Sequence, residues 1–260
     1  MIRVGTSGFS YPEWRGRFYP PRFSAGRMLP YYAERFSTVE LNNTFRRTPT
    51  SQAVAGWNQQ TPAGFVFALK VPQQISHFAR LRNIARPFAR FLDTLVGLGD
   101  KRGPLLLQLP PNFRKDAGRL RRFLARVPPT VRMAVEFRHS SWLDDEVYDL
   151  LRARNAALCI ADTEEGTTPV IPTADFGYLR LRDRAYTRTE LARWAAVAAR
   201  AEWRDAFVYF KHEESGSGPR LARKLIGLLG AAAPAPRPSG GARGGRPRRS
   251  RPAARTPSNG

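Results

Sequence analysis

Along residues 1 to 230, short apolar runs alternate with longer stretches in which apolar side chains recur every three or four positions. Eight of the short runs read as strands: IRVGTS (2–7), TVELNNTF (38–45), FVFALKVP (65–72), PLLLQLP (104–110), RMAVEFRH (132–139), ALCIADT (157–163), FGYLRLRD (176–183) and AFVYFKHE (206–213). Helical spacing fills most of the intervals, as in MLPYYAERF, SQAVAGWNQQ, ARPFARFLDTLVGL, DAGRLRRFLARV, DDEVYDLLRAR and TRTELARWAAVAARA, and returns after the last strand in RLARKLIGLL. The sixth connection, EEGTTPVIPTA, reads as non-helical because its Gly, Thr and Pro residues interrupt the period. Strands alternating with helices call for a parallel sheet with helical crossovers, and eight such units predict a single (β/α)8 TIM barrel with an irregular sixth connection. An open doubly wound sheet fits less well, since GTSGFSY after the first strand lacks a GxGxxG turn.

Side chains alternate across a strand, so each run can be split into two faces. Glu40, Asn42 and Thr44 share one parity and Val39 and Leu41 the other; Glu136 and Arg138 oppose Val135 and Phe137. Tyr178, Arg180 and Arg182 oppose Leu179 and Leu181, while Tyr209, Lys211 and Glu213 oppose Val208 and Phe210. In a barrel the apolar face packs under the helices, so the polar face must point inward, crowded towards the C-terminal ends of the strands where barrel enzymes build their sites. Lys70, Gln108 and the C-terminal-end histidines His77, His139 and His212 join that set. Ions in such a place must be paired or line a hydrated pocket. One outcome is a structural network plugging the mouth, with Arg138 and Arg180 neutralising Glu40 and Glu136.

Composition narrows the setting. The chain has 260 residues, 42% of them hydrophobic, enough for a substantial core. MIRVGTSGFS has no apolar leader pattern and no run approaches the roughly 20 apolar residues of a membrane helix, so a cytoplasmic location is expected. The single cysteine, Cys159, excludes an internal disulfide and a CxxC metal site, and reads as a small core residue. The aromatic residues of FSYPEW and RFYPPRF read as packing and turn elements. The formal charge is +22, but residues 231–260 hold seven arginines and no acid, leaving +15 on residues 1 to 230. That Arg/Pro/Gly-rich tail has no large apolar side chain and is expected to be disordered and able to bind nucleic acid weakly.

The segments GTSGFSYPEWRGRFYP, YYAERFSTVELNNTFRRTP, WNQQTPAGFVFALKVPQQISHF, GPLLLQLPPNF and AVEFRHSSW, with the strand around Tyr178, resemble the YecE-like family, domain of unknown function 72. The resemblance covers nearly all of residues 1 to 230. It implies a barrel remotely related to sugar isomerases, and carries over Thr6, Ser7, Glu40, Asn42, Thr44, Lys70, His77, Gln108, Glu136, Arg138, His139, Trp142 and Asp162 as matching positions. This chain departs from the family after the eighth strand, reading YFKHEESGSG where relatives commonly have a YFNND-like segment, which suggests a subgroup with a different ligand.

Residues and resemblance together lead to an expected enzyme acting on a small polar or anionic, sugar-like or phosphorylated, substrate at the mouth. Glu136, Glu40 and His139 are the expected acid–base groups, the two carboxylates having their proton affinities pushed apart. Arg138, Lys70, Asn42, Gln108, Arg180, His77 and Lys211 are expected to bind substrate. No metal-ligand spacing is present; Glu40, Glu136, His139 and Asp162 are the weak candidates if a divalent ion binds. The alternatives are a nucleic-acid-binding or nucleic-acid-processing protein using the basic surface and tail, and a non-catalytic ligand-binding barrel.

Overall fold

The computed structural model describes residues 1–183, 185–212 and 216–232. Nine strands follow in chain order: β1 (Ile2–Ser7), β2 (Thr38–Leu41), β3 (Val66–Lys70), β4 (Arg102–Gln108), β5 (Met133–Glu136), β6 (Ala157–Thr163), β7 (Gly166–Thr167), β8 (Phe176–Leu181) and β9 (Asp205–Phe210). All except β7 run parallel in the order β5-β4-β3-β2-β1-β9-β8-β6, and a β5–β6 pairing closes the ring. The expected (β/α)8 barrel is thus present. The helices are α1 (Met28–Ala33), α2 (Asn43–Arg46), α3 (Ser51–Gln59), α4 (Ala85–Leu95), α5 (Ala117–Leu124), α6 (Asp145–Arg152), α7 (Arg188–Ala198) and α8 (Ser217–Ala232). The sixth connection is non-helical, and its two-residue β7 folds back antiparallel on the end of β6.

The two faces of each strand part as their chemistry requires. Val39, Leu69, Leu107, Val135, Ile160, Leu179 and Val208 belong to one continuous core with Leu120, Val147, Leu191 and Leu225 of the helices. A second, smaller cluster fills the barrel itself, where Ala68, Leu106, Ala134, Cys159, Tyr178 and Tyr209 pack together. The small residues leave room for the two tyrosines, and Thr38 Oγ1 meets the Tyr209 hydroxyl at 2.7 Å. Cys159 is buried and free, as its apolar run predicts. The aromatic opening segment packs as expected: Trp14, Phe18 and Tyr19 are buried. Among the described residues no helix is long and apolar enough to cross a membrane.

Six strands end earlier than their apolar runs, and at four of them, β2, β5, β8 and β9, this moves residues of the mouth. β2 stops at Leu41, and Asn42 and Thr44 lie in a turn and the short helix α2; Thr44 Oγ1 donates to the carbonyl oxygens of Leu41 and Lys70. β5 stops at Glu136, so Arg138 and His139 lie beyond it. Arg182 follows β8, and Lys211 and His212 follow β9. Strand alternation therefore does not place these residues; the turns do. Glu213, and the tail from residue 233 onward, lie outside the described residues.

Candidate functional site at the barrel mouth

Three inward-facing side chains at strand ends make the centre of the site. Glu40, next to last in β2, lies opposite Ser7 of β1, Glu136 ends β5 opposite Gln108 of β4, and Arg180 comes from β8 between β6 and β9. All three are buried. Arg180 spans the mouth: its Nη1 donates to Glu136 Oε2 at 2.5 Å and its Nη2 to Glu40 Oε1 at 2.9 Å. Ser7 Oγ and the Tyr178 hydroxyl donate to the two oxygens of Glu40 at 2.5 and 2.7 Å, and Asn42 Nδ2 holds Ser7 Oγ at 2.7 Å. Arg138 turns back from beyond β5 to place Nε 2.6 Å from Glu136 Oε1.

Buried ions are tolerated when their lone pairs and protons are all engaged. Burial by itself would raise the Glu136 carboxyl, but Arg180, Arg138 and a hydrogen bond from Gln108 outweigh it and hold the group well below the usual carboxylate range. Glu40 follows the same pattern, burial being overcome by Arg180, Ser7 and Tyr178. The expectation that the proton affinities of the two glutamates are pushed apart is therefore corrected. Both move down, because Arg180 pairs with both carboxylates and Arg138 adds a second cation at Glu136.

Lys70, at the end of β3, moves the other way. Its Nζ donates to Gln108 Oε1 at 2.7 Å and lies 3.9 Å from the centre of the Phe45 ring. Burial, then the charge of Arg180, lowers it to about 8 against attraction from Glu40 and Glu136. His77 sits edge-on to the same Phe45 ring at 4.8 Å, with Nδ1 2.9 Å from Ser76 Oγ. Burial, Lys70 and Arg138 lower its proton affinity as well. Lys211 lies just past β9, close enough for its charge to weigh on Lys70.

Not all expected residues converge. His139 caps the turn Ser140–Trp142, its Nδ1 accepting from the Ser141 N–H at 3.1 Å, and no hydrogen bond or ion pair joins it to either glutamate. Asp162 is occupied by the hydroxyls of Thr167 and Tyr186, at 2.5 and 2.9 Å. Among the described residues no three His, Cys, Asp or Glu side chains come together in a metal-holding group. Phe45, which orients Lys70 and His77, carried no signal in the sequence beyond an apolar position near a strand end. Arg182 was one of several mouth cations by parity; what singles it out is that its buried Nε and Nη1 have no hydrogen-bond partner among the described residues, the nearest acid among them being Glu136 Oε1 at 3.8 Å. The Nε of Arg180 is likewise buried and unbonded.

A closed barrel of eight parallel strands with a built polar network at their C-terminal ends defines a TIM-barrel protein. Residues 3–242 match the family model described as "Protein of unknown function DUF72", and the chain belongs to that family. It is 26% identical over 270 residues to the UPF0759 protein YunF of Bacillus subtilis (strain 168), a match covering 88% of this chain and 95% of that protein. Among solved structures it is similar to a DUF72 family protein from Thermotoga maritima, with a TM-score of 0.74, 25% identity and coverage of 88% of this chain and 99% of the other. A DUF72 family protein from Enterococcus faecalis shares the fold at a TM-score of 0.75 and 19% identity, over 88% of this chain and 96% of the other.

Proposed function

We propose that the protein is an enzyme whose barrel mouth binds a small anionic substrate, a phosphorylated or carboxylate-bearing sugar-like molecule. The carrying observation is the pair of buried, unbonded N–H groups on Arg182. A guanidinium donor removed from water without an acceptor costs free energy that an incoming anion would restore. The balance of the network agrees, since Lys70, Arg138, Arg180 and Arg182 face only Glu40 and Glu136 within it.

In this reading Glu40 and Glu136 are fixed anions that hold Arg180 and Arg138 in place. Lys70 is the group that exchanges protons near neutral pH, because desolvation and cationic neighbours make its amine available as a base. His77, across the Phe45 ring, is a second proton carrier. His139 acts only by shaping the rim, and any divalent ion would come with the substrate, since no ligand set assembles among the described residues.

The test is a thermal-shift titration with inorganic phosphate and small sugar phosphates on wild type and Arg182→Gln. A ligand at a hundredfold its dissociation constant stabilises a folded protein by about 2.7 kcal/mol, so wild type should show a clear rise in Tm. The variant should lose most of it. Equal shifts in both proteins would remove Arg182, and with it this placement of the anion.

A further inference from the structure

A cavity lies beside the mouth. It is a groove of about 770 Å³ between the connection that follows β3 and the one that follows β4. Its first wall is built on a π-helical turn, Gln74–Phe78, that ends with the ring of Phe78 74% exposed. The chain then passes through left-handed conformations at Arg80, Leu81 and Asn83, with φ of 44°, 64° and 50°. Side chains other than glycine adopt that region at a cost, so the surrounding structure must impose it. Leu81 is the anchor: it is buried, and its N–H bonds the Ile75 carbonyl at 3.0 Å. The loop holds an aromatic ring in water and sets two arginines, Arg80 and Arg82, along the groove.

The charges divide into those already used and those left open. Lys115 is tied to Asp144 and Glu146, and Arg119 to Asp116. Among the described residues Arg82 and Arg114 are exposed and have no hydrogen-bonding or acidic side-chain partner, while Arg80 rests only against the face of the buried Phe113 ring, 5.9 Å from its centre. Asn83 and Asn112 add exposed amides, each able to donate and accept.

Open cations, a presented aromatic face and amides in one groove match a chain of phosphodiesters carrying bases. We propose that this groove binds single-stranded nucleic acid, with Phe78 stacking on an unpaired base and Arg80, Arg82 and Arg114 contacting phosphates. A duplex hides the base faces that Phe78 would need, and an acidic peptide would engage the arginines while leaving the ring unused. The formal charge of +22 favours approach of any polyanion and sets no position for it; the ring sets the position. The groove is separate from the mouth and does not depend on the small-anion reading. His77 and Phe78 are successive residues of one turn, the first packed on Phe45 and the second open to the groove.

The experiment is fluorescence anisotropy of the full chain with a labelled twelve-nucleotide thymidine strand across a salt series. Phe78→Ala should weaken binding by about tenfold, in keeping with the loss of one base stack. The Arg82→Gln/Arg114→Gln double variant should bind more weakly and lower the slope of log affinity against log salt by about 1.4, the value for two phosphates on a single strand. All three positions are exposed, so their substitution leaves the fold intact, which a matched thermal melt checks. Unchanged binding by Phe78→Ala overturns the proposal, and so does equal competition by a phosphopeptide of the same charge. Arg182→Gln should bind the strand as wild type does; strand binding lost there and kept in Phe78→Ala would put the strand at the mouth and overturn the groove.

Discussion

At the residue scale, the site turns on charges whose surroundings pull them in opposite directions. The two glutamates are buried beside guanidiniums and stay ionised; Lys70 is buried beside them with an excess of positive neighbours and holds its proton weakly. A lysine at about 8 in the folded state and 10.5 when free means that, between those values, the unfolded chain binds the proton and the folded one does not. Stability must then rise as pH climbs through that window. Lys70→Met should abolish the rise and be more stable than wild type at pH 7, by on the order of 2–3 kcal/mol. Urea unfolding at pH 7, 9 and 10 reads both effects; a wild type whose stability is flat over that range would contradict the lowered lysine. Arg182 is a residue whose role parity could only suggest. Parity placed it among many mouth cations, and only packing shows which of its donors are left without an acceptor.

At the element scale, what mattered was where strands stop. Alternation gave correct faces for Glu40, Glu136, Arg180 and Tyr178 because all four lie within strands. Asn42, Thr44 and Arg138, which alternation treats as strand residues, lie beyond the strand ends, Thr44 in α2, and it is the turns that bring Asn42 and Arg138 to the network. Their apolar and β-branched neighbours extend the strand pattern past the last ladder bond, where splaying barrel strands end the pairing. Capping chemistry at helix ends is local. Thr187 and Glu190 form a complete capping box at the start of α7, each side chain meeting the other residue's backbone N–H. Thr187→Ala should cost about 1 kcal/mol, measured by denaturant melts, and Thr187→Ser much less. A loss as large in Thr187→Ser would mean the methyl group rather than the hydroxyl matters.

At the scale of the whole molecule, Arg180 joins β2 to β5 through the carboxylates on either side of it, across the open end of the barrel. Glu40 and Glu136 have folded-state affinities below their ordinary value of 4.5, so their contribution is fully present above that pH and is lost as pH falls below it. Removing one partner of such a pair strands the other charge in the interior. Glu136→Gln should therefore lower stability by roughly 3–5 kcal/mol at pH 7 and flatten the acid-side loss, as followed by chemical denaturation from pH 3 to 7. A variant as stable as wild type would show the network to be replaceable.

The order of strands and helices, the outward apolar face and the presence of ions inside the barrel follow from the sequence alone, because period and polarity are properties of neighbours along the chain. Tertiary structure decided which ions meet. That Arg180 takes both glutamates, that Phe45 sits between Lys70 and His77, that Arg182 keeps two donors unbonded and that Arg114 joins Phe78 across the groove all depend on residues tens of positions apart. Barrel closure brings those positions together, and no local pattern encodes the distance between them.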